Sequence, residues 1–336
     1  MAMTDSQEIP APPRLIPALL AGFDAITNHI MVILFPIIFD VLIWFAPHLR
    51  LKNLIETLIG EMVLLSENEG AELAGMIDVG KDAWLHLAGQ INLAIALRSY
   101  PVGIPSLMAS SLPVETPFGI PIMLEISSLG FALFIIVILI GLGLILGTLY
   151  YQLVAQVAMS GEISWGKIFH ELPRTSLQVI LLALIWVGLF LLVSIPASCL
   201  VSVAALAGFS IGQFAILLYG GFLIWLLFPL LFSAHGIFVK NLAVWPSIRL
   251  GIRITNATLP TTALFFLSVF VLTQGLDILW RIPPADSWLS VLGIAGHGFV
   301  VTGILAASFV YYRDADRWVT SVSNQLQSSE KSKLEK

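Results

Sequence analysis

The chain has 336 residues, of which 58% are hydrophobic and only 11% are charged, whereas a typical soluble domain carries about 25% charged residues. This composition excludes an ordinary soluble protein and indicates a membrane protein. The formal net charge is −5 and the 16 lysines and arginines are spread along the chain, so nucleic acid is not expected as a partner. Cys199 is the only cysteine, which excludes an internal disulfide framework and a cysteine metal site.

Uninterrupted apolar runs recur along the chain at lengths suited to a lipid bilayer. A bilayer core of about 30 Å needs roughly 20 apolar residues in a helix that rises 1.5 Å per residue. Strands of a membrane barrel would instead be about 10 residues long, with alternating polarity. The sequence therefore predicts an all-α polytopic bundle of six transmembrane helices. The predicted spans are residues 30–47, 127–151, 177–203, 211–236, 260–280 and 288–312.

Residues 48–126, between the first two predicted spans, are too long for a simple connection. Helical apolar spacing in residues 50–66 and 81–98 is followed by a proline-rich stretch, 100–121, which we expect to be largely irregular. The whole insertion is predicted to form an external cap. Its acidic residues are typical of a solvated outer face; they are Glu56, Glu61, Glu67, Glu69, Glu72, Asp78 and Asp82.

Lysine and arginine residues are distributed unevenly between the two sides of the predicted bundle. Connections 152–176 and 237–259 and the tail after the last span carry many of them, whereas the opposite short connections hold only Arg281. Positive charge favours the cytoplasmic side. We therefore expect a multi-pass protein of the cell membrane with both termini in the cytoplasm. Its predicted parts are a disordered tail (1–14), a membrane domain (15–312) and a C-terminal tail (313–336).

Gly143 and Gly147, four residues apart in the second predicted span, form a small-xxx-small face that predicts close helix packing. No strand precedes them, so they are not a nucleotide motif. The sequence also contains no zinc-spaced His and Cys set and no nucleophile elbow. We expect no cofactor and no enzymatic activity.

A recurring pattern precedes the first, third and fifth predicted spans. Apolar residues at positions i, i+3 and i+7 share one helical face, and a helix-capping residue type follows at i+11. This spacing predicts an interfacial helix that leads into each span, and thus three units of one interfacial helix plus one helical hairpin. The alternative is coincidence, because apolar residues at helical spacing are common. The sets are Ile16, Leu19, Phe23, Thr27; Trp165, Ile168, Leu172, Ser176; and Trp245, Ile248, Ile252, Asn256.

With this arrangement, and with the segment VWPSIRLG at residues 244–251, the chain resembles the six-span membrane domain found beside some bacterial glycerophosphodiester phosphodiesterases and in YciC-like inner-membrane proteins. The resemblance covers roughly residues 160–312 and, more weakly, 15–47. It implies a fold and a membrane location, and it supplies no catalytic residues. The sequence departs from that pattern by its insertion 48–126 and by containing no soluble catalytic domain, so phosphodiesterase activity is not carried over.

Ionisable residues inside the predicted spans are the candidate site residues, because a charge in hydrocarbon costs roughly 2.5–3.5 kcal/mol. Asp40 and Asp277 fall in the outer halves of the first and fifth spans, Glu125 begins the second span from the same side, and His297 lies well inside the sixth. We expect these residues to line an outward-facing polar vestibule covered by residues 100–121. The alternative is that each carboxylate is satisfied separately near the headgroups and that His297 is structural.

Two functions from different classes remain open. The first is a non-catalytic membrane protein that organises lipid or partner proteins through its interfacial helices and its external cap, with membrane lipids as expected partners. The second is a permease-like transporter of a small molecule or lipid that uses the polar vestibule. The scarcity of mid-span polar residues and the lack of paired inverted halves count against active transport.

Overall fold

A computed structural model describes residues 11–66, 81, 84–86, 88–206 and 212–334. Helices dominate these residues, which confirms the all-α polytopic class. In chain order the elements are α1 (Leu15–Asn28), α2 (Leu34–Phe45), β1 (His48–Arg50), α3 (Lys52–Ser66), α4 (Met108–Ser111), β2 (Met123–Glu125), α5 (Leu129–Ser160), α6 (Trp165–Leu206), α7 (Gly212–Leu227), α8 (His235–Lys240), α9 (Val244–Ala257), α10 (Leu259–Trp280) and α11 (Ser290–Leu334). Some members of the predicted acidic face lie outside the described residues; they are Glu67, Glu69, Glu72, Asp78 and Asp82.

The described residues contain five helices long and apolar enough to cross a membrane, and a sixth if α1 and residues 30–45 form one broken span. The two parts of that pair meet at a bend of 93°. At 1.5 Å per residue, residues 30–45 cover only about 24 Å, less than the bilayer core of about 30 Å. The first predicted span, residues 30–47, is therefore helical where expected, but this helical segment is too short to cross a bilayer by itself.

The predicted interfacial helices are separate elements in two copies only. α9 ends at Ala257 and α10 begins at Leu259, because Pro260 has no backbone N–H to donate to the carbonyl of Asn256 and fits the first turn of a new helix. In the second copy, by contrast, residues 163–174 lead into α6, which is unbroken from Trp165. The prediction of three separate interfacial helices is wrong for this copy.

The reason for the continuity of α6 is visible at its predicted cap. Ser176 was expected to cap a new helix, but it lies inside α6, as does its neighbour Thr175. The Thr175 hydroxyl donates to the carbonyl oxygen of Glu171 at 3.0 Å, an i to i−4 bond that a continuous helix accommodates. No proline follows at the position that Pro260 takes in α10.

The described chain divides into two compact units. Unit 1 comprises the described parts of Met1–His29, Tyr151–Val271 and Thr302–Lys336. Unit 2 comprises those of Ile30–Tyr150 and Leu272–Val301. α5, α10 and α11 contribute residues to both units.

The core of unit 1 is an aromatic cluster around the middle of α11. Tyr311 stacks on Phe265 with ring centroids 4.5 Å apart and on Phe232 at 5.9 Å. α11 is also the most buried of the five long helices: 61% of its 18-residue apolar stretch is buried, against 6–17% of the corresponding stretch in each of the other four. The outward apolar faces of those four helices are suited to lipid rather than water.

Unit 2 contains two features of the insertion that the sequence did not predict. β1 and β2 pair in parallel, with His48 opposite Met123 and Arg50 opposite Glu125. The side-chain oxygen of Asn92 accepts hydrogen bonds from the backbone of Leu49 at 3.1 Å and Ala94 at 3.0 Å. These bonds fix a 3₁₀ turn, Leu93–Leu97, beside the strands.

The glycine face of α5 packs against the insertion. A β-carbon at Gly147 would lie 2.7 Å from the Cα of Gly103, and one at Gly143 would lie 2.2 Å from the carbonyl oxygen of Leu97. Only glycine permits such an approach. Sequence spacing identified this face as a packing surface, but its partner is the irregular segment 97–103 rather than another helix.

Candidate functional site

Asp40, on α2, is fully buried in unit 2 and holds the insertion. Its Oδ1 accepts from the Ser106 hydroxyl at 2.5 Å and from the Met108 amide at 2.9 Å, and its Oδ2 accepts from the Leu107 amide at 3.1 Å. These donors stand at the start of α4, so the carboxylate satisfies amides that a helix N-terminus leaves free. Asp40 is therefore engaged with the proline-rich segment rather than open to a ligand.

Asp277 and His297 form a direct pair between α10 and α11. Nδ1 of His297 lies 2.8 Å from Oδ1 of Asp277. The other carboxylate oxygen lies 3.5 Å from the guanidinium of Arg281, which also donates to the Ser110 hydroxyl at 2.9 Å. The pair is thus tied, through Arg281, to α4 of the insertion.

The two glycines that flank His297 allow neighbouring residues to approach α11 closely. A β-carbon at Gly296 would lie 2.6 Å from the Trp280 ring, and one at Gly298 would lie 3.2 Å from Cγ1 of Ile37. His297 is consequently enclosed, with 4% of its surface exposed. Its Nε2 is buried and has no hydrogen-bond partner among the described residues, and Asp40 interacts with the ring electrostatically.

Glu125 stands apart from this cluster. It lies in β2, exposed, and receives a long hydrogen bond of 3.5 Å from the Asn53 amide. The expectation that Glu125 begins the second span is wrong, because that helix begins at Leu129. Of the four candidate residues, the structure therefore gathers Asp40, Asp277 and His297, with Arg281 as a cationic neighbour that borders them.

Unit 1 contains a separate, apolar groove of about 460 Å³. Trp225 and Trp245 on its wall remain 70% and 60% exposed, so the groove opens on the surface. The lining residues come from α6, α7, the turn after α7, and α9. They are Ile185, Leu189, Trp225, Leu226, Pro229, Leu230, Trp245, Ile248, Ile252 and Asn256.

The α9 wall of this groove is the stripe that the sequence pattern identified. Trp245, Ile248, Ile252 and Asn256, predicted as one face of an interfacial helix, all line the groove. Another face of α9 packs into the protein, where a β-carbon at Gly251 would lie 3.0 Å from the carbonyl carbon of Phe232. α9 thus contacts the unit core with one face and offers the other to the groove.

Two exposed arginines border the groove on α9. With about 100° of rotation per residue, Arg249 and Arg253 lie beside the Trp245 stripe, and both are exposed. Neither makes an ion pair with another residue in the part of the chain that the structure describes. The groove is therefore apolar inside and basic along one rim.

Polar contacts fix the position of α9. The Ser247 hydroxyl donates to the Ser233 carbonyl at 2.5 Å, and the Val244 amide donates to the side chain of Gln178 at 2.8 Å. Ser233 lies just before α8 and Gln178 lies on α6. These bonds hold the groove wall against both neighbouring elements.

A second groove, of about 350 Å³, lies between α6 and α7. Its polar lining residues include Ser194, whose hydroxyl lies 2.6 Å from that of Tyr219, together with Ser198 and Ser202. Because the Ser194 hydroxyl bonds within α6 and to Tyr219 on α7, as hydroxyls that join membrane helices do, we assign this groove to helix packing.

Sequence reasoning missed the α6 and α7 walls of the first groove. Trp225 falls in the middle of the fourth predicted span, and its side chain is largely exposed. The available signal was Pro229, which interrupts the fourth span; the chain continues there as a 3₁₀ turn, Phe228–Leu230. That irregular turn supplies part of the groove wall.

The chain matches no protein-family model, no curated protein and no solved structure at a significant level. The resemblance to the YciC-like membrane proteins therefore stays a prediction. Among the described residues, no group of three or more His, Cys, Asp or Glu side chains is placed to hold a metal ion.

Proposed function

We propose that this chain is a non-catalytic, multi-pass protein of the cell membrane that binds and organises membrane lipid. The apolar groove of unit 1 holds an acyl chain, and Arg249 and Arg253 bind an anionic headgroup at its rim. The observation that carries this proposal is the groove wall on α9, where apolar lining residues lie beside two exposed arginines that form no ion pair within the described part of the chain.

Physical magnitudes support a lipid as the occupant. The groove volume of about 460 Å³ falls within the range of about 300–1,000 Å³ usual for small-molecule sites. Each methylene of a buried acyl chain contributes about 0.8 kcal/mol, and each basic residue near an anionic lipid surface contributes about 1 kcal/mol. A water-soluble ligand would gain little from walls formed by Ile, Leu, Trp and Pro.

The orientation follows from the positive charges. α9, with its two exposed arginines, lies in a connection that the positive-inside rule assigns to the cytoplasmic side, together with both termini. The groove then faces the inner leaflet. Single cysteines at Glu115 and Ser328, in a Cys199→Ser background, test this: an impermeant reagent on intact cells should label the first and not the second, and the reverse labelling contradicts it.

Lipid retention tests the proposed site. We expect the purified protein to retain anionic phospholipid, and Arg249→Gln/Arg253→Gln to reduce that retention about tenfold or more, given about 1 kcal/mol per basic residue. Ile252→Trp, which fills the groove, should reduce retention of anionic and neutral lipids alike. Native mass spectrometry measures both effects.

The matched control removes two exposed basic residues elsewhere in unit 1, as Arg14→Gln/Lys167→Gln. It should retain lipid as the unchanged protein does. Equal losses in both double variants would show that retention depends on total charge and would contradict a site at α9.

A second candidate function is transport through an outward-facing vestibule, and the Asp277–His297 pair is the observation that favours it. Against it, the donors of the insertion already occupy Asp40. Transfer of lipid or solute across proteoliposome membranes that is lost in His297→Gln would support transport; lipid retention without transfer would support the first proposal.

A further inference from the structure

Three aromatic side chains of unit 2 lie together where α2 ends. The Phe118 ring centroid is 5.4 Å from that of Phe45, the last residue of α2, and 5.2 Å from that of Trp288. Buried Trp44 supports them: its ring centroid is 6.4 Å from that of Trp288, and its Nε1 donates to the Ala285 carbonyl at 3.0 Å. Phe118 and Trp288 nevertheless remain 79% and 56% exposed. We call Phe45, Phe118 and Trp288 the aromatic patch.

The aromatic patch continues an exposed apolar face of α2. Ile38, Leu42 and Phe45 stand at positions i, i+4 and i+7 and therefore share one face of the helix. Ile38 and Leu42 on this face are both exposed. α2 belongs to the bent helix pair that forms the sixth candidate span, so this face is suited to lipid. Phe118 and Trp288 extend the same surface past the end of the helix.

The turn that carries Phe118 is suited to apolar surroundings. The Thr116 amide donates to the Gly119 carbonyl at 2.9 Å, and the Gly119 amide donates to the Thr116 carbonyl at 2.8 Å. The Phe118 amide donates to the Thr116 hydroxyl at 3.2 Å, and Pro117 has no amide hydrogen. Every amide hydrogen of residues 116–119 is thus bonded within the turn, as backbone in contact with lipid requires.

The segment after the turn extends the apolar surface towards α5. Ile120, Ile122 and Leu124 are all exposed, and residues 116–124 contain no charged side chain. Leu129, the first residue of α5, follows Leu124 by five residues and so lies within about 18 Å of it. α5 is one of the helices long and apolar enough to cross a membrane. The exposed segment therefore lies near a membrane end of α5.

We propose that the insertion docks on the lipid bilayer through the aromatic patch and the exposed apolar residues that follow it. Phe118 and Trp288 then lie between the headgroups and the acyl chains, the depth at which tryptophan is enriched. A bilayer fits because this surface adjoins the ends of two membrane helices, α2 and α5. Glu115, exposed three residues before Phe118, stays in water. The proposal does not rest on the lipid groove, which belongs to unit 1.

Spin-label accessibility in lipid nanodiscs tests the docking on the full chain. Single cysteines replace Phe118, Ile122 or Glu115 in a Cys199→Ser background. Each label is exposed to oxygen, which concentrates in the bilayer, and to a nickel chelate, which stays in water. We expect oxygen to dominate at Phe118→Cys and Ile122→Cys, and the chelate to dominate at Glu115→Cys, the matched control. Chelate accessibility at 118 and 122 equal to that at 115 would overturn the proposal.

A substitution tests whether the aromatic patch holds the insertion in the bilayer. Trp288→Gln should make the Ile122→Cys label less accessible to oxygen and more accessible to the chelate. Asp286→Asn, at an exposed residue of the same connection, should leave both unchanged. A label unaffected by Trp288→Gln would contradict the role of the patch. In liposomes, dipolar broadening between Phe118→Cys labels would place a second copy of the chain on the patch and would overturn a lipid partner.

Discussion

Asp40 illustrates how a single carboxylate can attach a long insertion to a membrane helix. Its partners, Ser106, Leu107 and Met108, lie 66–68 residues further along the chain. The sequence indicated that an acid at membrane depth needs partners inside the protein. It could not identify them, because such distant pairings depend on how the irregular segment folds rather than on local spacing.

Replacing Asp40 with Ala should destabilise the protein strongly. Two buried amides and one hydroxyl would lose their acceptor, and each unsatisfied group costs about 1–3 kcal/mol. We expect the free energy of unfolding in detergent to fall by about 3 kcal/mol or more. Asp286→Ala, at an exposed acid of the same unit, is the control and should change it little. Equal stability of the two variants would contradict the role of Asp40 in holding the insertion.

Helices α5, α6 and α9 show which features of a helix, such as its ends and its packing face, can be predicted from nearby residues. The break between α9 and α10 follows from Pro260, and the glycine face of α5 follows from its spacing; both can be read locally. The continuity of α6 cannot, because its apolar spacing resembles that before α10, while the proline that stands four residues after Asn256 has no counterpart four residues after Ser176. Apolar periodicity identifies a helical face but does not determine where one helix ends and the next begins.

Two alanine substitutions on α5 should have opposite effects on stability. Gly147→Ala places a β-carbon 2.7 Å from the Gly103 backbone, and such overpacking costs typically about 1–3 kcal/mol. Gly141→Ala meets no neighbouring atom within 4 Å and should be neutral or stabilising by about 0.5–1 kcal/mol. Thermal unfolding in detergent compares them. A neutral Gly147→Ala variant would mean that segment 97–103 does not pack on α5.

For the whole molecule, composition and run length were enough to predict an all-α membrane class, since both depend only on the bilayer as solvent. The α9 face of the groove was also predicted in part, because Trp245, Ile248, Ile252 and Asn256 follow helical spacing. The opposite walls came from α6 and α7, and their approach to α9 depends on contacts such as that between Gln178 and Val244. No local pattern encodes that pairing.

The most direct test of the lipid-binding proposal is photo-crosslinking in bilayers with an anionic phospholipid that carries a diazirine on its acyl chain. Mass spectrometry of the digested protein locates the adducts. We predict that they concentrate on the groove walls, near Ile185–Leu189, Trp225–Leu230 and Trp245–Asn256, and that Ile252→Trp reduces them. Adducts spread evenly over every lipid-facing helix, unchanged in Ile252→Trp, would contradict a defined lipid site.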